Sequence, residues 1–201
     1  ILKEIRNKLI KREVTADSMP QHIQYHEAVL QELEKRYGKD YPKAHYRGMG
    51  GSAVVLKLQP IIEGEIGGES GCKCLKYPLP MIEQESFSLA SVLDNEANRL
   101  KDLHHQFIIP LDDVGRLDLK QYGVADRNKK APFYLMPYVD SIDLREYLKI
   151  PQASMDKVLK MLHQISLALR YMHRSGFIHL DIKPEKIFVL NPTNSNTSAL
   201  L

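Results

Sequence analysis

Four stretches of this chain combine residue types and spacings that could do chemistry. The first is the glycine-rich run Gly48-Met-Gly50-Gly51-Ser52-Ala53-Val54-Val55. Without a Cβ, glycines let backbone N–H groups approach phosphate oxygens closely, although a hairpin turn accounts for the same residues equally well. The second is Lys76, which closes the short run Lys73-Cys74-Leu75-Lys76 and reads either as a cation aimed at a ligand or as an edge-strand lysine. The third is Glu96, which falls on the same side of a helical pattern as Leu89, Val92, Leu93, Ala97, Leu100 and Leu103. An inward carboxylate is costly unless a cation or donor meets it. Glu96 therefore either has a buried partner on a neighbouring element or sits at the edge of the stripe and reaches water. The fourth is His179-Leu180-Asp181-Ile182-Lys183-Pro184-Glu185-Lys186, where Pro184 forbids a continuing helix and puts Asp181 and Lys183 on a loop.

Two further groups are weaker. Cys72 and Cys74 are two apart in an apolar run. Strand geometry turns them to one face with their Cα atoms too far apart for an ordinary disulfide, so they read as reduced residues of a cytosolic protein. His22 and His26 have the i, i+4 spacing of a two-histidine metal site, but His22-Ile-Gln-Tyr-His26 lacks the glutamate of a zinc-protease motif. No metal ligand is assigned.

Ile1, Leu2, Ile5, Leu9 and Ile10 recur at helical spacing among basic residues. A second helix follows, with Asp17 or Ser18 as cap, Pro20 in its first turn, an apolar stripe of Ile23, Val29, Leu30, Leu33 and Tyr37, and Gly38 at its end. These helices read as an extension packed on the following domain, in preference to a membrane-surface segment. From His45 the pattern turns to short strands: Val54 to Gln59, Cys72 to Tyr77, Ile108 to Val114 and Phe133 to Met136. Pro60 to Gly71, with Gly64, Gly67 and Gly68, reads as a loop, and a helix is expected from about Ser88 to Leu103. Ser154 caps a last long helix carrying Val158, Leu159, Leu162, Ile165, Ala168, Leu169 and Met172, with Gly176 at its end. Strands first and helices later give an α+β chain.

In this order, the four stretches resemble the eukaryotic-type protein kinases. Gly48 to Val55 is similar to their G-x-G-x-x-G-x-V loop, with Ala53 at the third glycine. Lys76 and Glu96 stand at the strand lysine and helix glutamate whose ion pair holds the lysine against the α- and β-phosphates. Residues 179–186 resemble the catalytic loop H-R-D-x-K-P-E-N. The resemblance makes Asp181 the group that orients the attacking hydroxyl and accepts its proton, and Lys183 the cation that steadies the transferring phosphoryl group. Phe133 to Val139 looks like the hinge between kinase lobes, with Met136 as gatekeeper and the backbones of Pro137 and Val139 facing adenine. Asp143 matches a position that bonds the ribose, and it also reads as the N-cap of a short helix. The implied architecture is a helical extension at 1–44, a β-rich N-lobe at 45–138 and the first part of a helical C-lobe at 139–201. The implied cofactors are ATP and Mg²⁺, with a protein Ser/Thr substrate, since Lys183 is typical of Ser/Thr rather than Tyr kinases.

The chain departs from that pattern at Leu180, which replaces an arginine that pairs with a phosphorylated activation loop, and at Lys186, which replaces a metal-binding asparagine. The Asp-Phe-Gly segment is also missing. Residues 186–190, 191–198 and 199–201 read, by the same resemblance, as strand, turn and strand, which places that segment just past Leu201 and implies that the fragment alone turns over poorly. A pseudokinase is the rival within the fold, with Lys186 in its favour. A small-molecule kinase shares H-x-D but typically lacks a lysine in the position of Lys183, and a helical adaptor would act through residues 1–44. A formal charge of +3 on 201 residues gives no reason to expect a nucleic-acid partner. No apolar run approaches a membrane span, so no stable membrane insertion is expected.

Overall fold

The computed structural model describes residues 1–62, 65–66, 71–81, 89–125, 128–151, 153–194 and 196–201. Gly64, Gly67 and Gly68 of the expected loop and Ser88 at the expected helix start lie outside these residues. In chain order the elements are α1 (Leu2–Ile10), α2 (Met19–Tyr37), β1 (Lys43–Met49), β2 (Ala53–Gln59), β3 (Ile61–Ile62), β4 (Glu65–Ile66), β5 (Lys73–Pro78), α3 (Leu89–Leu100), β6 (Asp113–Asp118), β7 (Lys130–Pro137), β8 (Ser141–Asp143), α4 (Leu144–Tyr147), α5 (Met155–Arg174), β9 (Phe188–Leu190) and β10 (Ser198–Leu200). They divide into two compact units, one of residues 1–98 and 111–138, the other of 99–110 and 139–201.

The first unit is built on an antiparallel sheet of order β1-β2-β5-β7-β6. Both faces are covered, so alternate residues of one strand meet different partners. Leu56, Leu75, Tyr77, Phe133 and Leu135 meet α1 and α2 through Ile5, Leu9, Tyr25, Ala28, Val29 and Leu33 in one buried cluster. The other face carries Ala53, Tyr134 and Met136 against Leu93 and Ala97 of α3. The helical extension is thus packed on the sheet, as its apolar stripe predicts. At Gly115 a Cβ would come within 3.0 Å of the Phe133 ring, and Arg36 of α2 lies over that ring at 4.8 Å. A side chain at 115 would obstruct this stack.

Polar contacts fix the docking. Tyr25 donates its hydroxyl to the carbonyl of Pro78 at 3.0 Å, and His26 Nδ1 shares a 3.1 Å hydrogen bond with the Tyr77 hydroxyl. At the far end of α2, Arg36 and Tyr37 both meet the Asp113 carboxylate. His26 is fully buried edge-on to Tyr25 and Tyr77, with its Nε2 making no hydrogen bond to the described residues. No cluster of three or more His, Cys, Asp or Glu that could hold a metal occurs among the described residues.

In the second unit, α5 packs on the β8-β9-β10 sheet, and the buried Gln164 side chain accepts the Ala199 N–H at 2.9 Å. Ser154 Oγ accepts the Lys157 N–H at the start of α5, and Gly176 follows its end with φ +78°, a value glycine adopts at low cost. The strand-turn-strand expected over residues 186–201 is the β9–β10 hairpin, but its first strand starts only at Phe188 because Pro184–Lys186 forms a 3₁₀ turn. No helix among the described residues is long and apolar enough to cross a membrane.

Several expectations need correction. The strand expected at Ile108 to Val114 starts later, as β6. Pro110 has no N–H to donate to a ladder, and Ile109 instead donates to the carbonyl of Leu201. The expected loop from Pro60 holds the short β3–β4 pair. Helix α3 ends at Leu100, and Leu103 packs with Ile108, Ala168 and Met172. On α5, Leu159 and Leu162 are exposed, whereas Met161 and Gln164 are buried. Ser18 stands at the N-cap of α2 without a side-chain bond into the helix, and Gly38 ends α2 in right-handed backbone.

His26 yields a pH prediction. Burial, with a smaller contribution from neighbouring His22, pulls its pKa down to about 3. From about pH 6.5 down to that value the unfolded chain holds a proton that the native state refuses, so stability falls with pH by up to about 1.4 kcal/mol per unit. It is regained above about pH 6.5. His26→Gln can keep the bond to Tyr77 but cannot titrate, so urea melts of this variant should show a shallower loss between pH 6.5 and 4.5 than the parent.

Candidate active site

The β2–β5–β7 register aligns Val55 with Lys76 and Lys76 with Tyr134. These residues share the α3 face of the sheet, opposite the face covered by the extension. From there Lys76 Nζ reaches both carboxylate oxygens of Glu96 at 2.9 Å. The Tyr134 hydroxyl donates to Glu96 Oε1 at 3.0 Å, and Lys76 Nζ lies 5.3 Å from the centre of the Tyr134 ring. Burial raises the Tyr134 pKa well above the usual phenol value, and the Glu96 charge adds to it, so the hydroxyl stays protonated as a donor. A second ion pair, Arg116 with Asp94, ties α3 to β6. Glu96 thus has the partner its position calls for, and with 37% of its side chain exposed it also reaches water.

The glycine-rich run forms the β1–β2 turn, closed by the Gly50 N–H donating to the Ala53 carbonyl at 2.8 Å. A Cβ at Gly48 or Gly51 would meet nothing within 4 Å. The glycines with positive φ are elsewhere, at 71, 123 and 176. Neither packing nor backbone conformation demands glycine at 48 or 51, so the turn leaves room at its surface that the fold itself does not use.

Met136 and Pro137 close β7, opposite Cys74 and Lys73 of β5, and Met136 packs with the Ala53, Leu93 and Ala97 cluster. Val139 opens the second unit, where its carbonyl accepts a hydrogen bond from Ser141 Oγ at 3.2 Å. Asp143 caps α4, its Oδ1 accepting the Glu146 N–H at 2.8 Å. This is the cap seen in its sequence pattern, and it leaves Oδ2 for other partners.

Asp181 and Lys183 lie on an exposed loop before a 3₁₀ turn, Pro184–Lys186. Leu180 has φ +63°, a left-handed conformation that costs a non-glycine residue on the order of 1 kcal/mol, and its side chain is 83% exposed. Its neighbour Asp181 has one carboxylate oxygen 2.6 Å from Lys186 Nζ and the other 3.2 Å from Lys183 Nζ. Hydrogen bonds from Lys186 first and Lys183 second hold the Asp181 carboxyl below the usual range. Glu185 is anchored by Arg145.

The sequence pattern did not disclose Tyr134, Asp94 or Arg116. Tyr134 lies two residues before Met136 and so on the same strand face, which was legible, but its place beside Lys76 depends on a strand register that spacing does not supply.

Residues 48–196 match the family model described as protein kinase domain, and the chain belongs to the protein kinase family. Among curated proteins it is 28% identical over 159 residues to a probable serine/threonine-protein kinase of Streptomyces coelicolor, an alignment covering 79% of this chain and 22% of that protein. To the human serine/threonine-protein kinase ULK1 it is 31% identical, over 72% of this chain and 12% of the relative. To human mitogen-activated protein kinase 12 it is 30% identical, over 68% of this chain and 37% of the relative. The chain thus spans well under half the length of these relatives. The crystal structure of the PknI kinase domain of Mycobacterium tuberculosis shares the fold, with a TM-score of 0.54 at 20% identity, over 82% of this chain and 60% of that one.

The contact between Tyr134 and Glu96 is open to measurement. Tyr134→Phe keeps the ring and removes one donor from a charged acceptor, a change worth about 1 to 2 kcal/mol. Urea denaturation should show that loss in the parent, and a clearly smaller one when Tyr134→Phe is made in a Glu96→Gln background.

Proposed function

We propose that the protein transfers the γ-phosphoryl group of ATP to a serine or threonine hydroxyl of a protein substrate. The observation that carries this reading is the bidentate pairing of Lys76 with an inward Glu96, which orients an ammonium group that is still partly open to solvent. In this reading Lys76 binds the α- and β-phosphates, and the amides of the Gly48–Gly51 turn approach phosphate oxygens. The packing supports the second role, since Gly48 and Gly51 are glycines where the fold has no use for them. The family resemblance assigns Val55, Met136 and the Pro137 backbone of the first unit to adenine, and gives the Val139 backbone and Asp143 of the second unit roles toward adenine and ribose. Asp181 accepts the proton of the attacking hydroxyl, and Lys183 offsets charge on the phosphoryl group. Cys72 and Cys74, two apart and too distant for an ordinary disulfide with one another, are read as reduced residues of a cytoplasmic protein.

Members of this family use ATP with Mg²⁺, but the described residues do not fit a metal beside Asp181. Lys186 stands where the family has asparagine, and an ammonium offers no lone pair to a cation. Both Asp181 oxygens are already occupied by lysines. No step is assigned to a metal there. The same pair favours a second reading, a nucleotide-binding pseudokinase, because an aspartate held by two ammonium groups is a weaker base.

Phosphate transfer by the full-length parent, Asp181→Asn and Lys186→Asn across a range of Mg²⁺ separates the two. The enzyme reading expects Asp181→Asn to lose about 10²- to 10⁴-fold in rate. It expects Lys186→Asn to gain, most at high Mg²⁺. A parent that binds ATP yet gives the same background as Asp181→Asn is a pseudokinase.

A further inference from the structure

The helical extension reaches the glycine-rich turn with the Arg12 side chain. Arg12 Nη2 donates to the carbonyl of Gly50 at 2.7 Å and lies 3.4 Å from that of Met49. Its origin is well anchored. The Arg12 N–H bonds back to the Leu9 carbonyl, Glu13 turns the chain with φ +59°, and Ile5 and Leu9 of α1 are buried in the core beneath. The guanidinium therefore extends from an anchored turn to the glycine-rich β1–β2 turn.

We infer that Arg12 is a positioning residue for the glycine-rich turn, which makes the extension a working part of the nucleotide site. The inference rests on the proposed phosphate-binding role of that turn. In a trans peptide the C=O and N–H point in opposite directions. A guanidinium fixed on the Gly50 carbonyl thus sets the plane of the Gly50–Gly51 peptide and aims the Gly51 N–H away from the extension. The extension covers the sheet face of Leu75 and Tyr77, whereas Lys76 projects from the other. Arg12 accordingly turns a glycine amide toward the side from which Lys76 works. Its second effect is entropic. Ordering a backbone residue costs conformational entropy, and more for glycine than for other residues. A turn with Gly48, Gly50 and Gly51 meets that cost when phosphate binds unless it is already restrained, and pre-organisation of this kind appears as affinity. The extension also grips β5 immediately after Lys76, through Tyr77 and Pro78. Both phosphate-binding elements are thus held from the same side.

The test combines hydrogen exchange of the nucleotide-free full-length protein with binding of a fluorescent ATP analogue, for the parent, Arg12→Ala and Arg12→Lys. Arg12 is exposed, so melting temperatures should stay within the range of ordinary surface changes. Arg12→Ala is expected to speed exchange at the Gly50 amide by about 3- to 10-fold and to weaken analogue binding by a similar factor. Arg12→Lys should recover both in part. Unchanged exchange in Arg12→Ala overturns the inference while leaving the ATP reading intact. If lysine restores affinity without restoring protection, arginine acts only as a charge, and positioning is overturned. A parent that binds no analogue overturns the proposed function and any role of Arg12 in nucleotide binding with it.

Discussion

A carboxylate on the packed side of a helix has to be met, and the first unit is arranged around meeting Glu96. Its partner is an ammonium from the middle of a sheet, so β5 must be an inner strand, flanked by β2 and β7 in a register that leaves Lys76 beside Tyr134. Three groups then share one charge pair: the ammonium across both oxygens, and the phenol on one of them. The pair is partly solvated, so its worth lies more in orientation than in stability. It holds Lys76 to one direction, which a phosphate-binding cation needs.

Strand alternation carries the consequence to the far side of the sheet. If Lys76 faces α3, then Leu75 and Tyr77 face away, and so do Leu56, Phe133 and Leu135 across the neighbouring strands. Such a face cannot be left to water. Burying each large apolar side chain contributes about 1.5 to 3 kcal/mol, and α1 and α2 supply the cover. The extension is therefore structural in the first instance, and its contacts with Tyr77, Pro78 and Gly50 lie next to the groups that would handle phosphate. The second unit is organised separately around α5, which braces β10 through Gln164, and around a loop whose lysines claim both oxygens of Asp181.

Legibility followed the physics of each signal. The helices were readable because apolar residues at 3.6 spacing with Ser, Pro and Gly punctuation leave few alternatives, as in α2 and α5. Glu96 was readable because a charge on an apolar stripe demands an explanation. What failed depended on partners distant in sequence. The start of β6 is set by Pro110 and by Leu201, some 90 residues later, and the burial of Met161 and Gln164 in place of Leu159 and Leu162 depends on the β9–β10 hairpin. Lys186 was recognised as out of pattern, but its 2.6 Å contact with Asp181 is a matter of loop geometry that spacing does not fix. Arg12 carried no signal in the sequence, since one arginine among several basic residues of an amphipathic helix is unremarkable until its target is seen.

The account depends most on Lys76 being a phosphate-binding cation held in place by Glu96, and calorimetric titration of the full-length protein with ATP tests that directly. Lys76→Met keeps the strand position and the apolar stem but removes the charge. The account predicts measurable ATP binding by the parent and a loss of at least about tenfold, or about 1.4 kcal/mol, in Lys76→Met. Equal affinity in the two proteins, with the variant still folded, would contradict it.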